Sequence, residues 1–136
     1  MMRSILAALA VTLTLAACAE TREVPTPTPL PILQLNRTQW ISTEGGLNAP
    51  MIEFVDSRAN GYTGCNRFFA QIEQSGPALS FSGISTTRRA CSPDLMALEQ
   101  AFVSRLEGTR SAHIEGDVLV LKDVNGLELA RFTRQP

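Results

Sequence analysis

The sequence predicts an α+β domain, mainly an antiparallel sheet of about six to seven strands with one amphipathic helix packed on it. Three observations carry this expectation. Short apolar or alternating runs dominate the chain from residue 34 onward, turn residues separate them, and a single segment holds a helical stripe. At 44% hydrophobic and 18% charged, the 136 residues have the composition of one small globular domain.

The strand runs are Met51–Val55, Tyr62–Glu73, Leu79–Ile84, Ser111–Glu115, Val118–Lys122 and Leu127–Phe132, with Trp40-Ile41 belonging to a further strand. Asn60-Gly61, Ser75-Gly76-Pro77, Glu115-Gly116-Asp117 and Asn125-Gly126 read as turns between them. Ser111–Glu115 alternates, with Ala112 and Ile114 on one face and Ser111, His113 and Glu115 on the exposed one. Tyr62–Glu73 alternates poorly because Phe68 and Phe69 are adjacent, so a bulge or burial of both faces is expected there. The helix opens at Ser92-Pro93-Asp94, which offers an N-cap, a proline at the first helical position and an acid in the first turn. Leu95, Leu98, Phe102 and Leu106 recur at spacings of three and four, and Gly108 is the expected stop.

Ahead of this domain the chain reads as targeting and tether. Arg3 precedes an apolar centre at Ile5–Leu15, too short for a stable transmembrane helix of about 20 residues. Residues 1–17 are thus expected to be a signal peptide. Leu15-Ala16-Ala17-Cys18 resembles the bacterial lipobox, which implies acylation of Cys18 and attachment to a membrane by acyl chains. Ala19, rather than Asp, follows the anchor, which implies the outer membrane, facing the periplasm. Residues 18–33 are expected to form the anchor and a tether. Val24-Pro25-Thr26-Pro27-Thr28-Pro29-Leu30-Pro31 places proline at every second position, so this stretch should be extended and semi-rigid. A proline-rich recognition ligand is the alternative. Residues 34–136 form the folded domain.

Loss of residues 1–17 takes Arg3 with it and moves a formal net charge of −1 further negative. Such a chain lacks a basic footprint, so no nucleic-acid partner is expected. With Cys18 acylated, Cys65 and Cys91 remain, and in an oxidising compartment they are expected to bond. A catalytic thiol or two free buried thiols are the alternatives.

The usual chemistry is sparse. His113 is the only histidine and Ser111 shares its face, but no orienting carboxylate can be assigned. One histidine and a bonded cysteine pair cannot make a zinc site, and Asp117, Asp123 and Asn125 read as turn formers rather than calcium ligands. No metal, no cofactor and no enzymatic activity are expected. The best polar constellation is Asn66 and Arg67 with Thr86, Thr87, Arg88 and Arg89, which a Cys65–Cys91 bridge would gather. Asn66, Arg67, Thr87 and Arg88 are the candidate binding patch, for an anion or an acidic partner. Alternatively, Asn66 bonds a local turn and the arginines are solvated or paired with Glu99.

Gly61-Tyr62-Thr63-Gly64-Cys65-Asn66-Arg67-Phe68 resembles the Gly-Cys-Asn-Arg-aromatic signature of the META domain, the HslJ-like family. Leu79–Arg88 with Ala90-Cys91 is similar to its second block. Met96, Glu99, Phe102 and Leu106 fit its helix, and Trp40 fits the tryptophan near the domain start. Arg89 and Ala70 depart from its usual Met and Gly. The resemblance implies a small α+β envelope domain, associated in some members with heat shock and novobiocin resistance, and supplies no reaction. The expected function is a non-enzymatic envelope lipoprotein that supports stress tolerance by binding a protein or small-molecule partner. The alternative is a small-molecule or peptide carrier with a pocket between sheet and helix.

Overall fold

The computed structural model describes residues 32–136. The signal peptide, Cys18 and the proline-rich tether lie outside the described residues. No helix among those described is long and apolar enough to cross a membrane.

Eight antiparallel strands close into a barrel: β1 (Thr38–Ser42), β2 (Met51–Val55), β3 (Arg58–Tyr62), β4 (Arg67–Ser75), β5 (Ala78–Thr86), β6 (Ser111–Glu115), β7 (Val118–Lys122) and β8 (Glu128–Arg134). Each strand pairs with the next in sequence, and β1 pairs with β8 to close the ring. The helix α1 (Pro93–Gly108) connects β5 to β6. The class is as expected, with one or two strands more and the sheet closed on itself.

Two-residue turns drive the meander. Asp56-Ser57, Gly76-Pro77 and Gly116-Asp117 join consecutive strands, with positive φ at Asp56, Gly76 and Gly116. Asp123 holds the β7–β8 loop, its Oδ1 accepting from the amides of Asn125 (2.8 Å) and Leu127 (2.9 Å).

Alternation puts Trp40, Ile52, Phe54, Phe68, Leu119, Leu121 and Phe132 inside, each at most 1% exposed. The Trp40 indole donates to Thr38 Oγ1 at 2.7 Å, and the Arg134 guanidinium lies 4.4 Å from its ring centre. Leu33 and Leu35 are also buried in this core, so it begins one residue before the expected boundary. The Gln74 amide donates to the Leu33 carbonyl at 2.5 Å, fixing where the chain enters the domain.

The ring is thin between β5 and β6, which share one register pair, Ala78↔Ser111. Helix α1 packs against β5 and fills the wedge beyond it. Its Phe102 meets Phe68 of β4 at 5.3 Å and Phe132 of β8 at 6.3 Å, both edge-on. Phe102 and Leu106 are buried, and Leu95 and Leu98 half-buried, so the expected stripe is the packed face.

Four local expectations need correction. Asn60-Gly61 is no turn: it lies within β3, where Asn60 pairs with Glu53 and Phe69, and Gly61 with Ile52 and Phe68. Glycine is required there by close approach, since a Cβ would sit 2.0 Å from the Met51 carbonyl oxygen. Tyr62–Glu73 is therefore not one strand, because the loop at residues 63–66 divides it. Phe68 and Phe69 need no bulge on their own strand. Phe68 faces in and Phe69 faces solvent at 50% exposure, while the register slips opposite them, near Gly83 of β5. Finally, Ser92 makes no side-chain cap, and the helix runs through Gly108 to stop at Thr109, whose hydroxyl bonds the Arg105 carbonyl.

Candidate functional site

The loop between β3 and β4 and the segment after β5 meet through a disulfide. Cys65 and Cys91 are bonded, with Cα atoms 6.0 Å apart, as expected. The bridge holds Asn66 against the chain at Arg89. Gly64 allows the turn, at φ 101°, in a space where a Cβ would lie 2.6 Å from the Leu98 side chain of α1.

Asn66 is 4% exposed and its amide is fully engaged. Its Nδ2 donates to the Arg89 carbonyl (3.2 Å) and to Glu99 Oε1 (3.3 Å), and contacts Cys65 Sγ at 3.3 Å. Its Oδ1 accepts from the Arg89 amide (2.7 Å) and the Thr87 hydroxyl (3.1 Å). Glu99 of α1 takes the Thr63 hydroxyl at 2.5 Å and the Asn66 amide at 3.1 Å. The Arg89 guanidinium closes the set on the Cys65 carbonyl at 3.0 Å. Every buried side-chain polar atom among the described residues has a partner. Thr63, Cys65 and Asn66, with Arg89 and Glu99, thus form a knot that ties two loops to the helix.

Of the four residues expected to form the patch, Asn66 faces in and is spent, and Thr87 is tied to it. Arg67 and Arg88 present exposed side chains beside the knot. Glu99 pairs with neither arginine; it serves Thr63 and Asn66. The sequence hinted at Glu99 through its place in the helix, but Thr63 carried no recognisable signal.

The fold that these strands, helix and knot build matches a known family. The sequence model of the META domain matches residues 33–136. The chain belongs to the META domain family. Two solved structures are similar to it. One is an NMR structure of a protein from Burkholderia xenovorans, at 21% identity and a TM-score of 0.60, covering 74% of this chain and 83% of that one. The second, also from NMR, is 21% identical with a TM-score of 0.58, covering 74% of this chain and 91% of that one. At this identity the likeness speaks for the fold. No curated protein matches the sequence.

Elsewhere on this META domain, a charged cluster spans the outer face of β6–β8. His113 Nε2 lies 2.7 Å from Glu115 Oε1, so Glu115 is the carboxylate that the sequence left unassigned. Arg131 reaches Glu115 at 3.7 Å and forks onto Glu128 at 3.0 and 2.8 Å. The His113 hydrogen bond chiefly, and Arg131 further, hold the Glu115 carboxyl below its ordinary range. Arg131 does the same for Glu128. The cluster covers Val120, which pairs with both His113 and Arg131 and is fully buried. No group of three or more His, Cys, Asp or Glu among the described residues is placed to hold a metal ion. A groove of about 310 Å³ runs between β5 and α1, lined by Ile84, Thr86, Glu99, Gln100, Val103 and Glu107 among others.

Proposed function

We propose that this META domain is the exported, lipid-anchored part of an envelope lipoprotein, and that it binds a partner rather than catalysing a reaction, in support of stress tolerance. The observation that carries the reading is the Cys65–Cys91 bridge. Such bonds persist in oxidising compartments, where the N-terminal signal and the lipobox-like Cys18 would deliver the chain. Bonded sulfurs are also unavailable as nucleophiles. Anchoring at the outer membrane on the proline-rich tether would present the barrel to the periplasm. Binding would use the exposed guanidinium groups of Arg67 and Arg88, which suit an acidic partner. The groove between β5 and α1 favours a second reading, a carrier of a small molecule or peptide.

Labelling with a radioactive fatty acid tests the anchor: label is expected in the parent chain and not in Cys18→Ala. Equal label in both would end the lipoprotein reading. Arg67→Glu with Arg88→Glu is expected to lose complementation of a heat or antibiotic survival defect while keeping its melting temperature. Full complementation by the folded double variant would move the binding site to the groove.

A further inference from the structure

We propose that the outer face of β3, β4 and β5 carries a binding site for an anionic saccharide, in the hollow around Phe69. Arg67 stands on the same outer face of β4, two positions from Phe69, so the site adjoins that arginine, but neither Arg67 nor Arg88 lines it. Its volume is about 500 Å³, within the range of small-ligand sites, and it is lined by Arg58, Asn60, Phe69, Gln71, Gly83 and Ser85 over the backbone of Ala59 and Ala70.

The register assembles these side chains. Arg58 stands opposite Gln71, Asn60 opposite Phe69, and Phe69 opposite Ser85. Opposed residues on one face have Cβ atoms about 5 Å apart, so three strands give a platform roughly 10 Å wide, the size of one or two sugar rings. The register slip near Gly83 opens the platform: φ is 58° there and nothing lies within 4 Å of where its Cβ would be. Bulges of this kind gather beside functional sites.

Phe69 is half exposed on a strand whose other aromatic, Phe68, is fully buried. An aromatic face is electron-rich and accepts the weakly positive C–H groups of a sugar ring. Asn60 and Gln71 offer amides with both donor and acceptor, and Ser85 a hydroxyl, for sugar hydroxyls. The Arg58 guanidinium enters no ion pair among the described residues, and no lining residue is acidic. One free fork beside an aromatic plate fits a ring that bears a carboxylate or phosphate. Glu53 beyond Asn60 and Glu73 beyond Gln71 bound the site and disfavour a longer polyanion. Choosing a saccharide over a nucleotide rests on the exported reading above, since the platform could stack either.

The test is a titration of the full-length exported protein, followed by amide NMR shifts, with N-acetylmuramic acid, neutral N-acetylglucosamine and AMP as probes. N-acetylmuramic acid is expected to shift Arg58, Asn60, Phe69, Gln71 and Ser85. Phe69→Ala and Arg58→Gln should each raise its Kd at least tenfold, Phe69→Tyr should retain binding, and the neutral sugar should bind at least tenfold more weakly. Shifts that map elsewhere, no shift, equal binding of the neutral sugar, or preference for AMP would each overturn the proposal. Cys18→Ala fractionation reports on export separately, so failure of the saccharide site and failure of the envelope reading can be told apart.

Discussion

Two polar clusters sit on this barrel, and they differ in where their hydrogen bonds end. At the Asn66 knot, all the bonds of the amide end on protein, at depths where Asn66 is 4% exposed. On the β6–β8 face, His113, Glu115, Arg131 and Glu128 also bond one another, but water competes for every one of them. A buried group that loses its partner bears its full desolvation cost, whereas an exposed one finds water. The buried signature residues Cys65 and Asn66 therefore hold the fold, and the more visibly charged β6–β8 face contributes little to it. Function must then be sought on surfaces that neither cluster occupies.

The largest effect expected from this contrast is loss of the bridge that clamps the knot. Its removal by Cys65→Ala with Cys91→Ser frees a loop spanning 26 positions, worth roughly 3.5 kcal/mol by loop closure. Thermal unfolding by circular dichroism should show a melting temperature lower by about 15 °C or more. Next comes Asn66→Ala, which strands Glu99, the Thr87 hydroxyl and the Arg89 amide. About 2–3 kcal/mol of stability should be lost in urea unfolding. A loss no greater than that of a surface variant would break the comparison, because the knot would then be decoration on a self-sufficient barrel.

Much of this was legible in the sequence, and the exceptions have physical causes. β6 and β7 match their predicted limits because the two-residue turn at Gly116-Asp117 separates an alternating run from a short apolar one. The helix stripe was legible for the same reason, as one periodicity undisturbed by glycine. β3 was not, because Asn60-Gly61 carries the residues of a hairpin turn while serving a different need, the close approach of the Met51 carbonyl. That misreading joined Tyr62 of β3 to β4 and left Arg58–Gly61, Asn60 among them, unread as a strand. Closure of the barrel was also hidden, since the β1–β8 pairing joins opposite ends of the domain. At the site, the residue types Cys65, Cys91, Asn66 and Arg67 were visible, but the inward turn of Asn66 depends on Glu99, 33 positions away.

A smaller effect sharpens the contrast from the exposed side. Glu115→Gln with Glu128→Gln removes the carboxylates that His113 and Arg131 hold, and should lower the melting temperature at neutral pH only marginally. Both carboxyls are held below their ordinary range in the folded protein, Glu115 first by the His113 hydrogen bond and Glu128 first by that of Arg131. Folding thus favours their charged forms. The stability they contribute is complete above the ordinary carboxylate range and is lost as pH falls through the lowered folded values. Melting curves of parent and variant, taken from neutral to strongly acid pH at low salt, should therefore start slightly apart and converge on acidification. Added salt should narrow the neutral gap, because solvent ions reach these groups. A gap that stays constant into acid would mean that the variant had disturbed the packing over Val120 instead, and the face would then resemble the knot more than it differs from it.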